Sequence, residues 1–384
     1  MKIGLIGAGR LGICLALLIE KAGYEVLASD NRIDYVTNLK KGIIDTAEPE
    51  VQQYLSNAKN IEFTTDNLRV ISECDLIFTL VATPSLADGS YDVSAVWKVI
   101  NDFKDIPILL DEKSLVIGCT TNPGDCNDFQ NALKDTGIDI FYNPEFIAQG
   151  SIITDLQNAD MVLIGGNGKH KIELEKIYEK IQMGFISPSI YFMSTKAAEV
   201  TKIAVNCFLT TKISYANMLG DVLRNAGCGD EIPTVLSAIG TDSRVGRKYL
   251  RYGFGYGGPC FPRDNRAFAS FAKNVGLDYN LGYVTDAINN QHAKLLCDYY
   301  DQVNENLPFF FSYITYKKGT DILTESQQYR LCVDLLDRGR KVYIQNDTRV
   351  IPQIRSELID KYGDRVKIVD NKENITEKIF IIEL

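Results

Sequence analysis

A glycine motif placed directly after the first apolar segment constrains this chain more than any other feature. The segment KIGLI (residues 2–6) leads into GAGRLG, in which Gly7, Gly9 and Gly12 have the spacing GxGxxG. A helical pattern follows, and then YEVLASD, which ends at Asp30. Strand, glycine turn, helix and second strand with a terminal acidic residue is the order found in βαβ units that bind a dinucleotide.

Each part of this motif has a physical role. The first glycine permits the tight turn, the second lets the backbone approach the pyrophosphate, and the third lets helix and strand pack closely. The helix N-terminus attracts the phosphates, and Arg10 and Leu11 lie in its first turn. Asp30 is expected to accept hydrogen bonds from the adenosine ribose and to repel a 2′-phosphate, which favours NAD over NADP. Arg32, two residues further on, has the charge needed to bind a 2′-phosphate, so NADP stays open as the cofactor. A glycine turn without a ligand is the less favoured interpretation.

The pattern beyond the motif predicts an α/β fold with a Rossmann-like parallel sheet and helices on both faces. Apolar strands are expected at DLIFTLVAT, SLVIGCTT, IDIFYNPE and DMVLIGG. From Thr195 a proline-free helical pattern continues for about thirty residues, which is typical of helices that span domains or pair with a partner subunit. FFFSYITY, SQQYRLCVDLLDRG, KVYIQND, RVKIVD and IFIIEL then predict a smaller, Rossmann-like α/β domain. We expect three regions, at residues 1–194, 195–305 and 306–384.

Composition excludes several classes of protein. The net charge of −9 offers no overall basic surface for nucleic acid. Nine cysteines with wide spacing and no CxxC pair argue against a disulfide framework and a zinc site, and only two histidines are present. No apolar segment reaches the roughly 18 to 20 residues of a membrane span. No signal-peptide cleavage pattern follows the first helix. These features predict a soluble cytoplasmic protein without a metal.

A second glycine-rich segment surrounds one cysteine. In GFGYGGPCFPRD, four glycines precede Cys260, so that the backbone can approach a ligand closely and the thiol need not be packed in a core. A thiol becomes a useful nucleophile as the thiolate, which a nearby cation promotes. A buried structural cysteine is the alternative, and it suits Cys14 and Cys207 better because both lie in apolar helical patterns.

Three polar residues of the long helix share one face, since Glu199, Lys202 and Asn206 are spaced i, i+3 and i+7. Their neighbours are mostly apolar, which favours a partly buried Lys202 over a solvated stripe, although both remain open. Glu145 in NPEF follows a predicted strand, at the sheet edge where α/β proteins bind ligands, or is simply a turn residue. Thr83-Pro84 and Thr120 follow other strands at the same edge.

Together these segments resemble the UDP-glucose/GDP-mannose dehydrogenase family over nearly the whole chain. The matching blocks stand in the family's order: GAGRLG, VATP with DGSYD, CTTNPGD, NPEFIAQGS with Asp155, AAEVTKIAVNCFLTTKIS, GTDSRVG, GFGYGGPCFPRD, and TYKKGTD with Glu325-Ser326. The resemblance implies an NAD-dependent, four-electron oxidation of a nucleotide sugar, with UDP-glucose as the leading substrate. In that scheme the C6 alcohol becomes an aldehyde, Cys260 forms a thiohemiacetal, a second hydride leaves, and water hydrolyses the thioester to the uronate.

By the same resemblance, Lys202 stabilises the developing oxyanion and Asn206 donates a hydrogen bond to it. Asp264 and Thr120 are implied to handle the water and the protons. Glu145 is implied to assist thioester hydrolysis as a general base.

The resemblance also implies which residues bind the ligands. Those expected at the cofactor are Gly7, Gly9, Arg10, Leu11, Gly12, Asp30, Thr83, Pro84, Thr120 and Arg263. Those expected at the nucleotide sugar are Glu145, Phe146, Lys202, Asn206, Arg244, Tyr249, Arg251, Gly257 and Lys317. Arg244 resembles an arginine that reaches the substrate of a neighbouring subunit, so we expect a homodimer that pairs through the central helix.

Several positions depart from the family pattern. Arg263 and Arg251 stand where lysines are usual, which keeps the charge but changes its geometry. Thr324 replaces an arginine expected to help hold the cofactor phosphates. Asn122 and Asp125 replace a proline and a threonine in the CTTNPGD block.

Alternatives remain within and beyond this class. GDP-mannose or another UDP-sugar is a second substrate candidate. A single-step dehydrogenase of the hydroxyacid or 6-phosphogluconate type would share the first domain and a catalytic lysine, but would have no use for a nucleophilic cysteine. A nucleotide-sugar-binding pseudoenzyme is the third interpretation, suggested by Thr324 and the short C-terminal domain.

Overall fold

The computed structural model describes residues 1–106, 110–182, 188–304 and 306–382. The chain divides into two compact units, Met1–Lys202 and Ile203–Leu384. The boundary between the units lies within one long helix, Thr195–Asn225. The finer division into three regions, with boundaries after residues 194 and 305, stays a prediction.

The first unit contains an eight-stranded sheet with the order β3-β2-β1-β4-β5-β6-β7-β8. Its strands are β1 Lys2–Ile6, β2 Glu25–Ser29, β3 Ile61–Thr64, β4 Leu76–Thr79, β5 Ser114–Ile117, β6 Asp139–Tyr142, β7 Met161–Gly165 and β8 Ser189–Met193. Its helices are α1 Arg10–Lys21, α2 Ile33–Lys40, α3 Val51–Asn57, α4 Asn67–Glu73, α5 Ser94–Asp105, α6 Asp125–Ala132, α7 Ile152–Gln157 and α8 Lys171–Ile181, followed by the start of α9 Thr195–Asn225.

Strand order determines where this sheet can bind a ligand. The first six strands are parallel, and the direction of chain progression reverses between β1 and β4. Loops at such a switch point diverge and leave a crevice at the carboxyl ends of the strands. The glycine motif follows β1 and residues 80–84 follow β4, so both lie at this point. The predicted α/β class and the strand-turn-helix arrangement of the motif are confirmed.

One pairing departs from a fully parallel sheet. β7 is antiparallel to β6, where Tyr142 pairs with Gly165, and β8 is then parallel to β7. The connection contains only the six-residue helix α7, and the chain re-enters the sheet from the opposite end. β3 and β8 were not identified from the sequence, because both carry exposed positions that break the apolar pattern.

Two apolar cores cover the two faces of the sheet. Because successive side chains of a strand point to opposite faces, Leu5 of β1 packs in the core with α1 and α8, and Ile6 packs in the core with α4, α5 and α6. β4 divides in the same way, with Phe78 on the first face and Ile77 on the second. Helices on both faces are therefore confirmed.

The second unit holds the rest of α9 and a smaller sheet. Its helices are α10 Ile232–Thr241, α11 Phe261–Asn274, α12 Leu281–Val303, α13 Gln327–Asp337 and α14 Ile351–Tyr362. Its strands are β9 Phe309–Phe311, β10 Val342–Gln345, β11 Val366–Val369 and β12 Phe380–Ile381, all parallel in the order β11-β10-β9-β12. Both the 31-residue helix α9 and the smaller C-terminal α/β fold agree with the sequence prediction. In the described part of the chain, no helix combines the length and apolarity needed to cross a membrane.

Candidate active site

The glycine loop after β1 has the geometry of a dinucleotide cradle. Gly7 has a φ of +96°, and a Cβ atom there would lie 2.7 Å from the Leu80 carbonyl oxygen. A Cβ on Gly12 would lie 2.1 Å from the Gly7 carbonyl oxygen, so any side chain would push α1 away from the loop. Around Gly9, which caps α1 without a side chain, the space within 4 Å is open. The loop can therefore accept a pyrophosphate against backbone N–H groups.

Asp30 lies at the end of β2 and is held by Arg32. The Arg32 Nε and Nη2 atoms donate to the two carboxylate oxygens of Asp30 over 2.7 and 2.8 Å. The Arg32 guanidinium also stacks 4.0 Å from the ring centre of Tyr35, whose hydroxyl donates to the Ala8 carbonyl oxygen. The hydrogen bond to Asp30 raises the pKa of Arg32. Arg32 is thus bound to the acidic residue expected at the ribose.

The other expected cofactor residues of this unit lie on the same sheet edge. Thr83 is buried and Pro84 exposed after β4, while Thr120 is partly exposed after β5. Leu11 packs at the margin of the core. In the first turn of α1, Arg10 donates from Nη1 to the Gln149 side-chain oxygen over 3.0 Å.

The loop after β5 is anchored by a fully buried carboxylate. Glu199 of α9 accepts hydrogen bonds from Thr121 Oγ1 at 2.9 Å, Gly124 N at 2.6 Å and Cys126 N at 2.9 Å. Burial raises the pKa of Glu199, and these donors oppose that rise. Glu199 therefore fastens the CTTNPGD segment to α9.

Two residues that depart from the family pattern contact each other in this loop. Asn122 donates from its backbone N and from Nδ2 to Asp125 Oδ2, over 2.7 and 2.9 Å. Asn122 also exchanges hydrogen bonds with the backbone of Tyr91. The two residues thus hold each other in place, and burial raises the pKa of Asp125 to about 6.

Glu145 follows β6 and contacts two side chains from other parts of the chain, Tyr178 and Lys202. Its Oε1 atom lies 2.6 Å from the hydroxyl of Tyr178 on α8, and that hydroxyl also contacts Asn143 Oδ1. Lys202 donates from Nζ to the backbone carbonyl oxygen of Glu145 over 2.7 Å and lies 4.6 Å from the ring centre of Phe146. Loss of hydration raises the pKa of Glu145 to about 7, although Tyr178 and the charge of Lys202 lower it. A carboxyl group near neutrality can both accept and donate a proton.

In the second unit, Cys260 caps the N-terminus of α11 and is only partly buried. Its carbonyl oxygen accepts a hydrogen bond from Asp264 N at 2.8 Å. Unpaired N–H groups at a helix N-terminus favour a negative charge, which suits a thiolate. Asp264 is buried, accepts from Asn206 Nδ2 at 2.6 Å, and lies 3.6 Å from Arg263 Nε. This unit therefore brings three of the expected catalytic residues into one neighbourhood: Cys260, Asp264 and Asn206.

Most of the other cysteines are in a different environment. Burial raises the pKa of Cys14 and Cys74 to about 12 and that of Cys207 and Cys297 to about 11. Only Cys228 and Cys260 are not fully buried. The expectation that Cys14 and Cys207 are core residues is confirmed.

Side chains of α9 and α12 hold the glycine segment that leads to Cys260. Asn217 accepts from Gly253 N at 3.0 Å, and Asn289 both accepts from Tyr256 N and donates to Tyr256 O over 3.0 Å. His292 is buried, with Nδ1 2.7 Å from Asp221 Oδ2 and Nε2 2.8 Å from Gly253 O. Buried polar side chains from α9 and α12 thus orient the loop backbone.

The remaining expected substrate residues are mostly at the surface of the second unit. Tyr249 has a φ of 61°, an uncommon left-handed conformation for a residue with a side chain. Arg244 is 87% exposed and forms a bidentate pair with Asp242, and Arg251 is also exposed. Gly257 packs tightly, since a Cβ there would lie 2.3 Å from the Glu325 carbonyl oxygen. The Lys317 side chain is exposed, while its carbonyl oxygen accepts from Thr315 and Thr320.

Most of this chain matches two domains of one known family. Residues 1–182 match the NAD-binding domain, and residues 196–291 the central domain, of the UDP-glucose/GDP-mannose dehydrogenase family. The chain belongs to this family. It is therefore an NAD-dependent nucleotide-sugar dehydrogenase.

Individual relatives agree with this membership. A UDP-glucose 6-dehydrogenase of Rickettsia bellii is 30% identical over 89% of this chain and 80% of its own length. A UDP-glucose dehydrogenase structure from Pyrobaculum islandicum superposes with a TM-score of 0.84 at 24% identity, over 99% of this chain and 89% of that one. A UDP-D-ManNAc dehydrogenase structure from Pyrococcus horikoshii gives 0.77 at 20% identity, over 100% and 99%. At such identities the two structures establish the shared fold.

Sequence reasoning missed several residues of this nucleotide-sugar dehydrogenase that orient the expected ones. Tyr178 and Asn143 beside Glu145, and Asn217, Asn289 and His292 along the glycine segment, were assigned no role. Each contact joins residues more than thirty positions apart, so no local pattern reveals it. For Asn217, Asn289 and His292 the available signal was a polar residue within a helical pattern, since buried polar groups need partners.

Proposed function

We propose that this enzyme oxidises UDP-glucose to UDP-glucuronate with two NAD molecules, through a covalent intermediate on Cys260. The observation that carries the proposal is the position of Cys260, partly exposed at a helix N-terminus behind a glycine segment, while most other cysteines are buried. In the balanced reaction, the C6 alcohol, two NAD⁺ and one water give the carboxylate, two NADH and three protons.

Binding of the cofactor is assigned to the first unit. Gly7, Gly9 and Gly12 would accommodate the pyrophosphate, and Asp30 would accept hydrogen bonds from the ribose hydroxyls. The other residues that we assign to the cofactor are Arg10, Leu11, Thr83, Pro84, Thr120 and Arg263. When bound, NAD accepts the hydride in each oxidation.

In the first step a hydride leaves C6 and the proton of the C6 hydroxyl passes to a water molecule. We assign Thr120 and Asp264 to holding that water, and Lys202 and Asn206 to stabilising negative charge on the C6 oxygen. Lys202 suits this role because its described partners are a carbonyl oxygen and an aromatic ring, so its charge is not neutralised by a carboxylate.

The second oxidation takes place while the sugar is covalently bound to Cys260. The Cys260 thiolate adds to the aldehyde carbon, forming a C–S bond, and the carbonyl oxygen takes up a proton to give the thiohemiacetal. Loss of hydride from C6 and of that proton leaves a thioester. Water then attacks the thioester carbon, Glu145 accepts the proton of the water, and Cys260 leaves as thiolate.

Recognition of the nucleotide sugar is assigned to Phe146, Tyr249, Gly257 and three cations, Arg244, Arg251 and Lys317. The relative from Rickettsia bellii bears the name UDP-glucose 6-dehydrogenase, which supports UDP-glucose. The Pyrococcus horikoshii structure bears the name of a UDP-D-ManNAc dehydrogenase, so another UDP-sugar or GDP-mannose is the second candidate.

A panel of nucleotide sugars, with NADH counted per sugar consumed, tests the proposal. UDP-glucose should give two NADH and the uronate, with a higher kcat/KM than UDP-N-acetylmannosamine or GDP-mannose. One NADH per sugar would overturn the four-electron scheme and favour a single-step dehydrogenase. Binding without turnover of any sugar would favour a pseudoenzyme.

The role of Cys260 needs its own variant. Cys260→Ser should abolish uronate formation while leaving NAD affinity unchanged, and Cys228→Ser is the matched control because Cys228 is also partly exposed. Full uronate formation by Cys260→Ser would contradict the covalent route.

We also propose a homodimer that pairs through α9. Four exposed apolar side chains recur at near-heptad spacing along this helix, namely Phe208, Tyr215, Met218 and Val222. Such a stripe is typical of helix pairing. Sedimentation should give twice the chain mass, and Phe208→Asp should shift it to the monomer, whereas Tyr279→Asp, at an exposed loop position, should not.

A further inference from the structure

The hydroxyl of Tyr178 contacts two oxygen atoms at once. It lies 2.6 Å from Glu145 Oε1 and 2.5 Å from Asn143 Oδ1. The amide of Asn143 has a determined orientation, because its Nδ2 donates to the carbonyl oxygen of Leu163 over 2.9 Å. Its oxygen therefore faces Tyr178, and that oxygen can only accept a hydrogen bond.

The number of protons in this cluster determines which group donates in each hydrogen bond. Both oxygen–oxygen distances are those of O–H···O hydrogen bonds, so each needs one proton between its atoms. Tyr178 supplies one proton, and Asn143 Oδ1 supplies none. The second must come from Glu145, which in this arrangement is a neutral acid that donates to the Tyr178 oxygen, while Tyr178 donates to Asn143.

When Glu145 loses its proton, the hydroxyl can turn. Tyr178 then donates to the carboxylate, a stronger charge-assisted bond, and Asn143 Oδ1 loses its partner. Among the residues that the structure describes, the charged group that acts on Glu145 is Lys202, whose Nζ binds the backbone carbonyl oxygen and not the carboxyl group. Tyr178 itself stays a neutral phenol, since burial and the neighbouring Glu145 raise its pKa.

We propose that Tyr178 and Asn143 are positioning residues that form a two-state proton relay controlling the ionisation of Glu145. Asn143 favours the acid form by competing for the hydroxyl proton, and Tyr178 favours the carboxylate form by donating to it. This inference rests on the proposed role of Glu145 in thioester hydrolysis. In that step Glu145 takes the proton of the attacking water, and the hydroxyl turns back to Asn143.

The relay predicts opposite effects for its two members. Tyr178→Phe removes the donor to the carboxylate and should raise the pKa of Glu145 by about one unit, because a charge-assisted bond is worth more than a neutral one. Asn143→Ala removes the competing acceptor and should lower that pKa by a similar amount. If Tyr178 and Asn143 merely packed against Glu145, there would be no reason for the two variants to shift its pKa in opposite directions.

The test is a ¹³C NMR titration of protein labelled at the glutamate carboxyl carbon, with Glu145→Gln identifying the Glu145 signal. Tyr24→Phe is the control, since Tyr24 also binds a glutamate of α8, with its hydroxyl 2.7 Å from Glu173 Oε1, and should leave Glu145 unchanged. Shifts of the same sign in both variants, or no shift, overturn the relay. If Asn143→Ala fails to fold, the sign of the Tyr178→Phe shift alone decides: a fall or no change overturns it.

A second readout separates this inference from the proposed function. In single-turnover experiments, the pH below which uronate release slows should rise in Tyr178→Phe and fall in Asn143→Ala. In steady-state experiments, the KM for the nucleotide sugar should be unchanged in both variants. If the enzyme forms no uronate, the proposed function fails, yet the NMR titration still tests the relay. Opposite NMR shifts without a matching change in the pH dependence of uronate release would show that the relay does not serve hydrolysis.

Discussion

Lys202 Nζ donates a hydrogen bond to the Glu145 backbone carbonyl oxygen over 2.7 Å, and so joins helix α9 to the segment that follows β6. Within the described residues it forms no ion pair, and its other contact is the ring of Phe146. A buried ammonium with neutral partners is suited to stabilise an oxyanion, because its charge is not already compensated.

Replacing Lys202 should therefore reduce the rate of the chemical step. We expect Lys202→Met to lower kcat by about 10²- to 10³-fold, the usual loss for an oxyanion-stabilising group. Affinity for NAD, measured by fluorescence quenching, should stay within twofold of wild type. Lys176→Met on the surface of α8 provides the control. A Lys202→Met enzyme that changed only KM would argue against the oxyanion role.

The contact between Asp30 and Arg32 predicts how cofactor choice can be changed. Asp30→Ser removes the charge that repels a 2′-phosphate and releases Arg32 to bind it. The NADP-to-NAD ratio of kcat/KM should rise about 10- to 100-fold, which corresponds to about 1.5–3 kcal/mol for one charge-assisted contact. The double variant Asp30→Ser/Arg32→Ser should lose most of that gain. An equal gain in both variants would mean that Arg32 does not contact the phosphate.

Glu199 should matter for stability. Glu199→Ala leaves the buried donors of Thr121, Gly124 and Cys126 without their acceptor, and we expect the free energy of unfolding of the first unit to fall by about 3–5 kcal/mol. Urea unfolding measures this loss. Glu179→Ala, at an exposed position of α8, should change stability by less than about 0.5 kcal/mol. A Glu199→Ala protein as stable as the control would contradict the anchoring role.

Burial of the thiols predicts a simple labelling pattern. Brief treatment of the native protein with iodoacetamide at neutral pH should modify Cys260 first, because it is partly exposed at a helix N-terminus. Burial raises the pKa of Cys14 and Cys207 to about 12 and 11, so their thiols should stay unreacted until the protein unfolds. Peptide mass spectrometry gives the order. Faster labelling of Cys228 than of Cys260 would contradict the expected activation.

The sequence by itself determined the parts of this protein that depend on neighbours along the chain. GxGxxG after KIGLI predicted the cradle, because tight turn, helix start and close packing are local requirements that only glycine meets. The spacing of Glu199, Lys202 and Asn206 predicted their shared face on α9, and all three are buried. The glycines before Cys260 predicted an accessible thiol, in agreement with its partial burial.

Only the tertiary structure decided which side chains hold these residues in place. Tyr178 lies 33 positions from Glu145 in the chain, and Lys202 lies 57 positions from it, yet both contact it. The antiparallel direction of β7 was also decided by the tertiary structure, because strand direction depends on how the chain returns to the sheet. Such contacts form when distant segments pack on one core and buried polar groups must find partners there. No local spacing encodes that choice, which is why the sequence pointed to Cys260 but not to the contacts of Tyr178 and Asn143 beside Glu145.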